Sequence, residues 1–323
     1  MRATLLLPVA RRFSGTLGTL ARWIARGDRL PTQPAGRDAA LRGCFEFIGT
    51  TIPAAALTRE VDARDAAGAQ WLRCDPACIV ADAVTLRLVA CGSMGLSLDD
   101  VAALTRALKP IFGDAGFPLE ASHAERWYLR CPREAKLPTF STPDDALGDD
   151  LVRHLPDGDG AARFRALLNE AQVVLTQHPL NEQRARKGQA AVNSVWFWGP
   201  GALPDWVRSG YSRIYSDDEV VVALATRAKI PASALARGGE DARSDQHAIT
   251  PFDAAQEADA NVLVDLARLR DAAELERSWF ATAAAALKSG RLRELLLRFE
   301  SGEQVCVKPA QRWRFWRRTP PLA

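Results

Sequence analysis

The sequence predicts a mixed α/β fold, with a mostly parallel sheet that has helices on both faces and a small inserted α+β domain. Three observations support this prediction. Short apolar runs of strand-like pattern alternate with amphipathic helical segments along much of the chain, which favours βαβ connections. Between residues 70 and 130, several short strand-like runs surround one helix. No period of 20–50 residues recurs, which argues against solenoids and propellers.

The composition predicts a globular protein with a packed core. Of the 323 residues, 47% are hydrophobic and 25% are charged. Apolar runs stay far below the roughly 18 residues that span a bilayer, and the run at 5–10 is too short for a secretory signal. The six cysteines lack the paired spacing of zinc ligands. We therefore expect a cytoplasmic protein with reduced cysteines, no membrane span and no metal or other cofactor.

Charge is distributed unevenly along the chain. The net charge is only +3, but residues 1–42 carry +6 and residues 308–318 carry +5, which leaves the rest at −8. Basic ends of this kind bind a nucleic acid, an anionic membrane surface or the acidic body of the same protein. The sequence leaves these three alternatives open.

Residues 1–67 are predicted to contribute a strand and helices to the α/β body. The apolar run at 5–9 predicts a strand, and 16–25 has helical periodicity that ends near Gly27. A loop with two prolines and a glycine follows at 31–38. A helical region then extends to about Ala67.

Residues 68–135 are predicted to form the small α+β domain. Runs at 71–74, 78–81 and 86–90 have strand-like composition and are separated by turn residues. Ser97 precedes two acids and a helical apolar pattern that continues to about Phe112, which predicts an N-capped helix. A further strand is predicted at 126–130.

Residues 136–323 are predicted to complete the α/β body. A loop at 138–150 precedes a helix that ends at Pro179, a helical turn at 181–187 and a strand at 193–198 that is broken by Gly199-Pro200-Gly201. The later elements are a strand at 213–215, a helix from Asp217, a strand at 261–266, a helix at 272–288 and a hairpin of 294–299 with 304–307. Strands alternating with helices predict a sheet that is mostly parallel and mixed at the hairpin edge.

The most specific local pattern lies between residues 178 and 201. It reads His178-Pro179-Leu180-Asn181-x-x-Arg184, then Gly188, then Asn193-x-x-Trp196-x-Trp198-Gly199-x-Gly201. With the arginine- and tryptophan-rich end at 312–318, this pattern resembles the RpfE-type regulatory proteins of proteobacteria. The resemblance spans most of the chain and implies a regulatory function.

The same pattern is more remotely similar to archaeal-type cofactor-independent phosphoglycerate mutases, which belong to the alkaline-phosphatase-like superfamily. This similarity covers roughly residues 70–202, and Arg126 lies where the mutases have a Tyr-Arg-His stretch. The resemblance implies the mutase fold, two divalent metals held by Asp and His, and a serine that is phosphorylated during turnover.

The chain lacks the residues that this mutase chemistry requires. It has no Gly-His-Ser and no Asp-His-Gly, and the segment Val264-Asp265-Leu266-Ala267-Arg268 is followed by no histidine in the next helix. The four histidines (His123, His154, His178 and His247) have no acid at ligand spacing. Since two-metal phosphoryl transfer depends on such ligands, we predict no metal site and assign no catalytic residue.

Eight residues are candidates for binding an anionic ligand or for bracing the motif. They are Arg126, His178, Asn181, Arg184, Asn193, Trp198, Gly199 and Gly201. We favour a buried imidazole hydrogen-bonded to the backbone for His178, brace roles for the two asparagines and a core position for Trp198. For Arg184, a bidentate contact to phosphate or carboxylate competes with a surface ion pair.

The basic and aromatic C-terminal end has two interpretations. The residues concerned are Arg312, Trp313, Arg314, Trp316, Arg317 and Arg318. Alternating tryptophan and arginine can stack on bases and follow phosphates or bind an anionic membrane surface. We favour a final strand, with Trp313 and Phe315 packed on the body and the arginines pointing outward.

The sequence as a whole predicts a regulatory or binding protein on a degenerate mutase-like scaffold, more a binding protein than an enzyme. Its partner would be a protein or a small anionic ligand, and nucleic acid is a less favoured partner. One alternative is an enzyme of metal-independent phosphate-ester chemistry, such as an altered mutase or phosphatase. The other is a nucleic-acid-associated factor that uses its basic termini.

Overall fold

The computed structural model describes residues 1–9, 13, 17–82, 84–235, 251–252, 259–314 and 316–317. The chain divides into two compact units, one of residues 1–48 and 206–323 and the other of residues 49–205. The domains predicted at 1–67, 68–135 and 136–323 have different boundaries. No helix in the described part is long and apolar enough to cross a bilayer.

Twelve strands are described, and their bounds are β1 Arg2–Leu7, β2 Asp28–Leu30, β3 Gln70–Ala81, β4 Leu86–Cys91, β5 Leu119–Glu120, β6 Tyr128–Cys131, β7 Ser194–Ala202, β8 Arg213–Tyr215, β9 Ala232–Ser233, β10 Asn261–Asp265, β11 Glu294–Phe299 and β12 Gln304–Val307. The α-helices in the described ranges are α1 Gly18–Arg26, α2 Arg37–Arg42, α3 Ala54–Ala63, α4 Leu98–Asp114, α5 Pro143–Ala146, α6 Ala161–Thr176, α7 Leu180–Arg186, α8 Glu219–Arg227, α9 Ala272–Glu274 and α10 Ala281–Lys288.

The first unit contains a mixed, mostly parallel sheet of seven strands. Their order is β2-β12-β11-β1-β10-β8-β9. The pairs from β11 through β1, β10 and β8 to β9 are parallel, and the β11–β12 hairpin and β2 are antiparallel. Residues of β10 after Asn261 are all buried, as expected for a central strand covered on both faces. The predicted α/β class, with antiparallel pairing at the hairpin edge, is confirmed.

The helical segment predicted at 272–288 is present but is not a uniform α-helix. It begins as α9, continues as a π-helical segment at Leu275–Phe280 and ends as α10. Trp279 and Phe280 are buried in the core beneath the sheet together with residues of α1 and β1. The apolar pattern identified the buried face, but not the change of helical pitch.

The second unit contains an antiparallel sheet of five strands. Its order is β4-β3-β6-β5, and β7 pairs with β3. The two runs predicted as separate strands form the single strand β3, which passes through Pro76. One edge of β3 pairs with β6 at residues 70–73 and with β4 at 77–81. Pro76 is tolerated because it lies between these two ladders, where that edge needs no backbone donor.

Helices α4 and α6 pack against this second sheet. Ser97 is the N-cap of α4, as predicted, and it also forms a capping box with Asp100. The helix continues through Pro110 to Asp114. Its buried residues share a core with α6 and β7 that includes the ring of Phe197.

Three local predictions differ from the structure. The pattern Gly199-Pro200-Gly201 does not break β7, which continues to Ala202. The residues after Val307 form a 3-10 helix at Pro309–Trp313 in place of a packed strand. The helix cap predicted at Asp217 is supplied by its neighbour Asp218.

Candidate functional site

Polar side chains converge at the carboxyl ends of the parallel strands β8 and β10. Asp265 is the last residue of β10, and Ser216 directly follows β8. The two strands are adjacent, so their ends meet at one edge of the sheet, where α/β proteins commonly bind ligands. Ser216 Oγ donates to Asp265 Oδ2 at 2.8 Å, and the backbone N–H of Asp218 donates to Ser216 Oγ at 2.9 Å.

The guanidinium of Arg37, at the first turn of α2, lies among these carboxylates, and Arg268 Nη2 approaches Asp218 Oδ2 to 3.4 Å. The two terminal nitrogens of Arg37 donate to the two oxygens of Asp265 at 2.8 and 2.6 Å, a bidentate ion pair. Nη2 also donates to Asp218 Oδ2 at 3.0 Å. Glu300 lies 4.0 Å from Nη1. One arginine thus interacts with three carboxylates, and we call this group the Arg37 cluster (Arg37, Ser216, Asp218, Asp265 and Glu300).

Two carboxylates of this cluster are buried. The side chains of Asp218 and Asp265 are 5% and 3% exposed. Burial alone would raise the pKa of Asp218, but Arg268 and Arg37 together hold that pKa below its usual value. Burial acts to lower the pKa of Arg37, yet Asp265 and Asp218 keep it well above the ordinary arginine value.

The donor set of the Arg37 cluster does not fit a divalent metal. The oxygens that would face a metal accept hydrogen bonds from a guanidinium and a serine, and Asp218 also caps α8 through Val220. Within the described ranges, no three His, Cys, Asp or Glu side chains form a metal-binding group. His123 and His154 bond to Glu125 N and Asp149 respectively, while His247 lies outside the described residues.

A second polar group in the same unit surrounds Cys44. Tyr211 donates to Thr4 Oγ1 at 3.0 Å and lies 3.8 Å from Cys44 Sγ. Arg298 Nη1 is 3.5 Å from the same sulfur. Burial raises the pKa of the Cys44 thiol despite the nearby guanidinium. The thiol is therefore protonated at neutral pH and lacks the activation of a catalytic nucleophile.

The motif between residues 178 and 188 braces its own loop. His178 is half-buried, and its Nδ1 accepts from Leu180 N at 3.3 Å. Asn181 donates to Leu175 O and Val192 O at 2.8 and 3.0 Å and accepts from Val192 N at 2.8 Å. The predicted hydrogen bond of His178 to the backbone is present, but the residue has intermediate exposure and not the buried position expected.

Arg184 forms neither of the contacts predicted for it. It is 3% exposed, and it donates through Nε to Ala190 O at 2.8 Å and through Nη2 to Met94 O at 2.7 Å. These partners are backbone carbonyls of loops that would otherwise be unsatisfied. The guanidinium is thus part of the interior and not a surface ion pair.

The second half of the motif fixes β7 to its neighbours. Asn193 accepts from Ile79 N at 2.9 Å and donates to Ile79 O at 2.8 Å, which extends the ladder with β3. Trp198 is buried, and its indole donates to Asp75 Oδ2 at 2.7 Å. Gly199 and Gly201 have φ values of 61° and 151° and lie against the start of α3.

Arg126 is held by a partner that sequence reasoning missed. Its Nε and Nη2 donate to the two oxygens of Asp62 at 2.8 and 2.6 Å, and Tyr128 OH donates to Asp62 Oδ2 at 2.5 Å. A fully buried pair, Arg73 and Asp75, lies in β3 at 2.8 Å. These partners are separated in sequence or hidden inside a strand pattern, so no local signal identifies them.

The predicted anionic-ligand residues do not form one site. Within the second unit, Arg126, Arg184 and Asn193 each have a different protein partner. The Arg37 cluster, by contrast, was not predicted beyond the presence of Asp265. The positions of Asp218 and Asp265 at the ends of two predicted strands were a usable sequence signal. Nothing comparable marked Arg37, which lies where a loop and a helical region were predicted.

The C-terminal end has the opposite orientation to the predicted one. Arg314 donates to Asp28 Oδ1 and to Arg26 O, and Arg317 donates to Gly27 O at 3.1 Å. Trp313 and Trp316 are 64% and 67% exposed. Arg314 and Arg317 therefore contact the body through their guanidiniums, whereas Arg312, Trp313 and Trp316 are exposed; Phe315 and Arg318 lie outside the described residues.

The chain is similar in sequence to phosphoglycerate mutases of the 2,3-bisphosphoglycerate-independent class. A probable enzyme of this kind from Geobacter sulfurreducens is 41% identical over 66 residues, 20% of this chain and 16% of the relative. The enzyme of Methanosarcina mazei is 31% identical over 81 residues, 25% and 20% of the two chains. That of Methanothrix thermoacetophila is 26% identical over 128 residues, 40% and 31% of the two chains. The matches thus cover less than a third of each relative.

Two solved structures were also found to be similar. The cofactor-independent phosphoglycerate mutase of Thermoplasma acidophilum matches with a TM-score of 0.40 and 14% identity, over 95% of this chain and 89% of that chain. A Pyrococcus horikoshii protein matches with a TM-score of 0.45 and 12% identity, over 95% and 87%. No family model matches the chain, and the RpfE-type resemblance stays a prediction.

Proposed function

We propose that this chain is a regulatory or binding protein that retains a mutase-like scaffold without its metal-dependent chemistry. The observation that supports this proposal is the Arg37 cluster. At the carboxyl end of β10, where the mutase resemblance implies a metal ligand in the segment of Asp265, the guanidinium of Arg37 pairs with Asp265 and Asp218.

The physical reason is the difference between a guanidinium and a metal ion. A divalent metal polarises phosphate oxygens and generates a nucleophile from bound water or a hydroxyl group. Arginine has a fixed charge, binds no water as a ligand and does not lose its proton at neutral pH. Arg37 can therefore stabilise the buried carboxylates at this edge of the sheet, but it cannot supply the metal-dependent steps of phosphoryl transfer.

The regulatory part of the proposal rests on the resemblance to RpfE-type proteins. The eight motif residues identified from the sequence would then have a structural role. The non-glycine side chains among them form hydrogen bonds to other residues of the second unit. Recognition would fall to other surfaces that accept a protein partner or a small anionic ligand.

A metal-binding and turnover experiment tests the proposal. We expect no heat of binding on titration of the purified protein with Mn²⁺, Mg²⁺ or Zn²⁺. We also expect no interconversion of 2- and 3-phosphoglycerate, followed by ³¹P NMR with each metal. A mutase from one of the relatives is the positive control. Turnover that disappears on addition of a chelator would contradict the proposal.

A further inference from the structure

The first unit contains a cavity that the mutase resemblance does not account for. It lies between α1, α10 and the 3-10 helix at Pro309–Trp313, and its volume is about 330 Å³. Trp23, Leu287 and Val307 form an apolar floor and are 8%, 6% and 5% exposed. This size is at the lower end of the range for small-molecule sites, which are also predominantly apolar.

Five cationic side chains surround this apolar floor. They are Arg22, Arg26, Lys288, Lys308 and Arg312. Three separate segments contribute them, and the described residues that line the cavity include no acid. This sign of charge raises the local concentration of anions in a cleft with low-dielectric walls.

Most of these cations have no carboxylate partner in the part of the chain that the structure describes. Lys308 pairs with Glu294 at 3.3 Å. Arg22 donates to Gly18 O at 3.2 Å within its own helix, and Arg26 donates to Arg312 O at 2.9 Å. These bonds orient the guanidiniums along the rim but leave their positive charge uncompensated, so an anion gains from binding there.

We propose that this cavity binds a small amphipathic anion. The apolar body of the ligand occupies the floor above Trp23 and Leu287, and its carboxylate, sulfonate or phosphate group is bound by Arg22, Arg26 and Arg312. An inorganic anion would leave the apolar floor in contact with water.

This inference deepens the proposed binding role by assigning a ligand class and a place. It uses no residue of the Arg37 cluster, and its test uses no metal. A failed ligand test therefore leaves the metal-free proposal intact, and detection of mutase turnover would leave this one intact.

The first experiment separates charge from apolar contact. The probe is anilinonaphthalenesulfonate, compared with the uncharged N-phenylnaphthylamine, and both are followed by fluorescence. We expect saturable binding of the anion that dodecanoate displaces. Arg22→Gln/Arg312→Gln should lower the affinity for the anionic probe about tenfold, because two charged contacts are lost. The affinity for the neutral probe should not change. The matched control is Arg186→Gln/Lys187→Gln, at exposed positions of the second unit.

The second experiment fills the cavity and keeps its charges. Ala284 lines the cavity on α10, whereas Ala281 lies on the same helix, is exposed and does not line it. Ala284→Phe should abolish displaceable anion binding with an unchanged circular dichroism spectrum, and Ala281→Phe should bind as the parent does. Thermal melts of both variants identify any loss of folding.

The outcomes distinguish the sources of the anion. Displacement by dodecanoate but not by inorganic phosphate supports a soluble amphiphile. Three results would overturn the proposal: equal loss of both probes in the glutamine variant, anion binding unaffected by Ala284→Phe, or displacement by single-stranded DNA in preference to dodecanoate. Cosedimentation with phosphatidylglycerol vesicles that persists in Ala284→Phe would also overturn it, since it would indicate a membrane surface.

Discussion

At the scale of single residues, the Arg37 cluster shows why a buried charge needs its counterion. The side chains of Asp265 and Asp218 are almost fully buried, and removing each carboxylate from water on folding costs free energy. The guanidinium of Arg37 offsets part of this desolvation cost through short, charge-assisted hydrogen bonds. Removing one partner therefore costs more than the pair contributes, because it leaves the other charge buried.

Removal of Arg37 is predicted to destabilise the first unit. Arg37→Met should lower the free energy of unfolding by about 3 kcal/mol, because buried Asp265 loses its bidentate counterion and Asp218 loses one of its two arginine partners. Arg37→Lys should cost less, since the charge remains but the bidentate geometry is lost. Urea unfolding curves measure both. Equal stability of Arg37→Met and the parent would mean that the guanidinium is free to bind a ligand.

Asp218 predicts a specific dependence of stability on pH. Its pKa is lower in the folded than in the unfolded protein, because Arg268 and Arg37 outweigh the effect of burial. The contribution of Asp218 to the free energy of unfolding is therefore complete above the unfolded-state pKa of about 3.9, and it is lost as the pH falls through the folded-state pKa. Asp218→Asn keeps a cap for α8 but removes the charge, so its stability should fall less steeply below about pH 4.

The measurement is the free energy of unfolding in urea at several pH values. Asp114→Asn, at the exposed end of α4, is the matched control and should follow the parent. Parallel curves for Asp218→Asn and the parent would contradict the prediction.

Asn181 is predicted to matter more for stability than His178. Asn181→Ala leaves Val192 N without its acceptor and removes two further bonds, so a loss of about 2 kcal/mol is expected. His178→Ala loses a single 3.3 Å bond at a half-buried site, and about 0.5–1 kcal/mol is expected. Chemical unfolding of both variants decides the order, and a larger loss for His178→Ala would contradict it.

At the scale of elements, the two glycines of β7 show what the motif pattern encodes. A Cβ on Gly199 would lie 2.7 Å from Ala54 Cβ, and one on Gly201 would lie 2.6 Å from Pro53 Cβ. Both glycines also have positive φ values. The strand thus approaches the first turn of α3 more closely than any side chain would permit.

Alanine substitutions at Gly199 and Gly188 are predicted to distinguish the cost of steric overlap from the cost of backbone strain. Gly199→Ala combines a left-handed φ with a steric overlap, and we expect a loss of about 3 kcal/mol. Gly188→Ala has a φ of 67° but nothing within 4 Å of the added Cβ, so only backbone strain of about 1 kcal/mol applies. Thermal melts compare the two, and equal losses would indicate that α3 moves away without cost.

Sequence patterns predicted elements better than the contacts between them. Strands β8, β10, β11 and β12 were identified within a residue or two, and the N-cap at Ser97 was identified as well, because periodicity and caps are local signals. The continuation of β3 through Pro76 was missed, since it depends on where two neighbouring strands end. Of the candidate site, only Asp265 was recognised. Its partner Arg37 is 228 residues away, and periodicity carries no information about such a pair.

At the scale of the whole chain, the two basic ends lie together in the first unit. Asp28, one of only two acids in residues 1–42, accepts from Gln311 at 2.8 Å and from Arg314. Arg314 and Arg317 also bind the carbonyls of Arg26 and Gly27. The basic C-terminal end thus binds to the basic N-terminal region through backbone oxygens and one carboxylate.

The contacts of the C-terminal end predict how its removal would act. Truncation after Ala310 should lower the melting temperature, because buried Gln311 and the arginine contacts with residues 26–28 are lost. Trp313→Ala should leave the melting temperature almost unchanged, since that ring is 64% exposed. The sequence-based explanation, loss of buried tryptophan, would instead lower the melting temperature of both variants.

Nucleic-acid affinity is measured on the same two variants. Arg314 pairs with the carboxylate of Asp28, and the proposed ligand of the neighbouring cavity is a small amphipathic anion, so we expect negligible binding of single-stranded DNA. Each phosphate contact would add to a steep decrease of affinity with salt. A salt-dependent affinity in the parent that both variants lose, with unchanged melting temperatures, would contradict the structural role and favour a nucleic-acid-binding end.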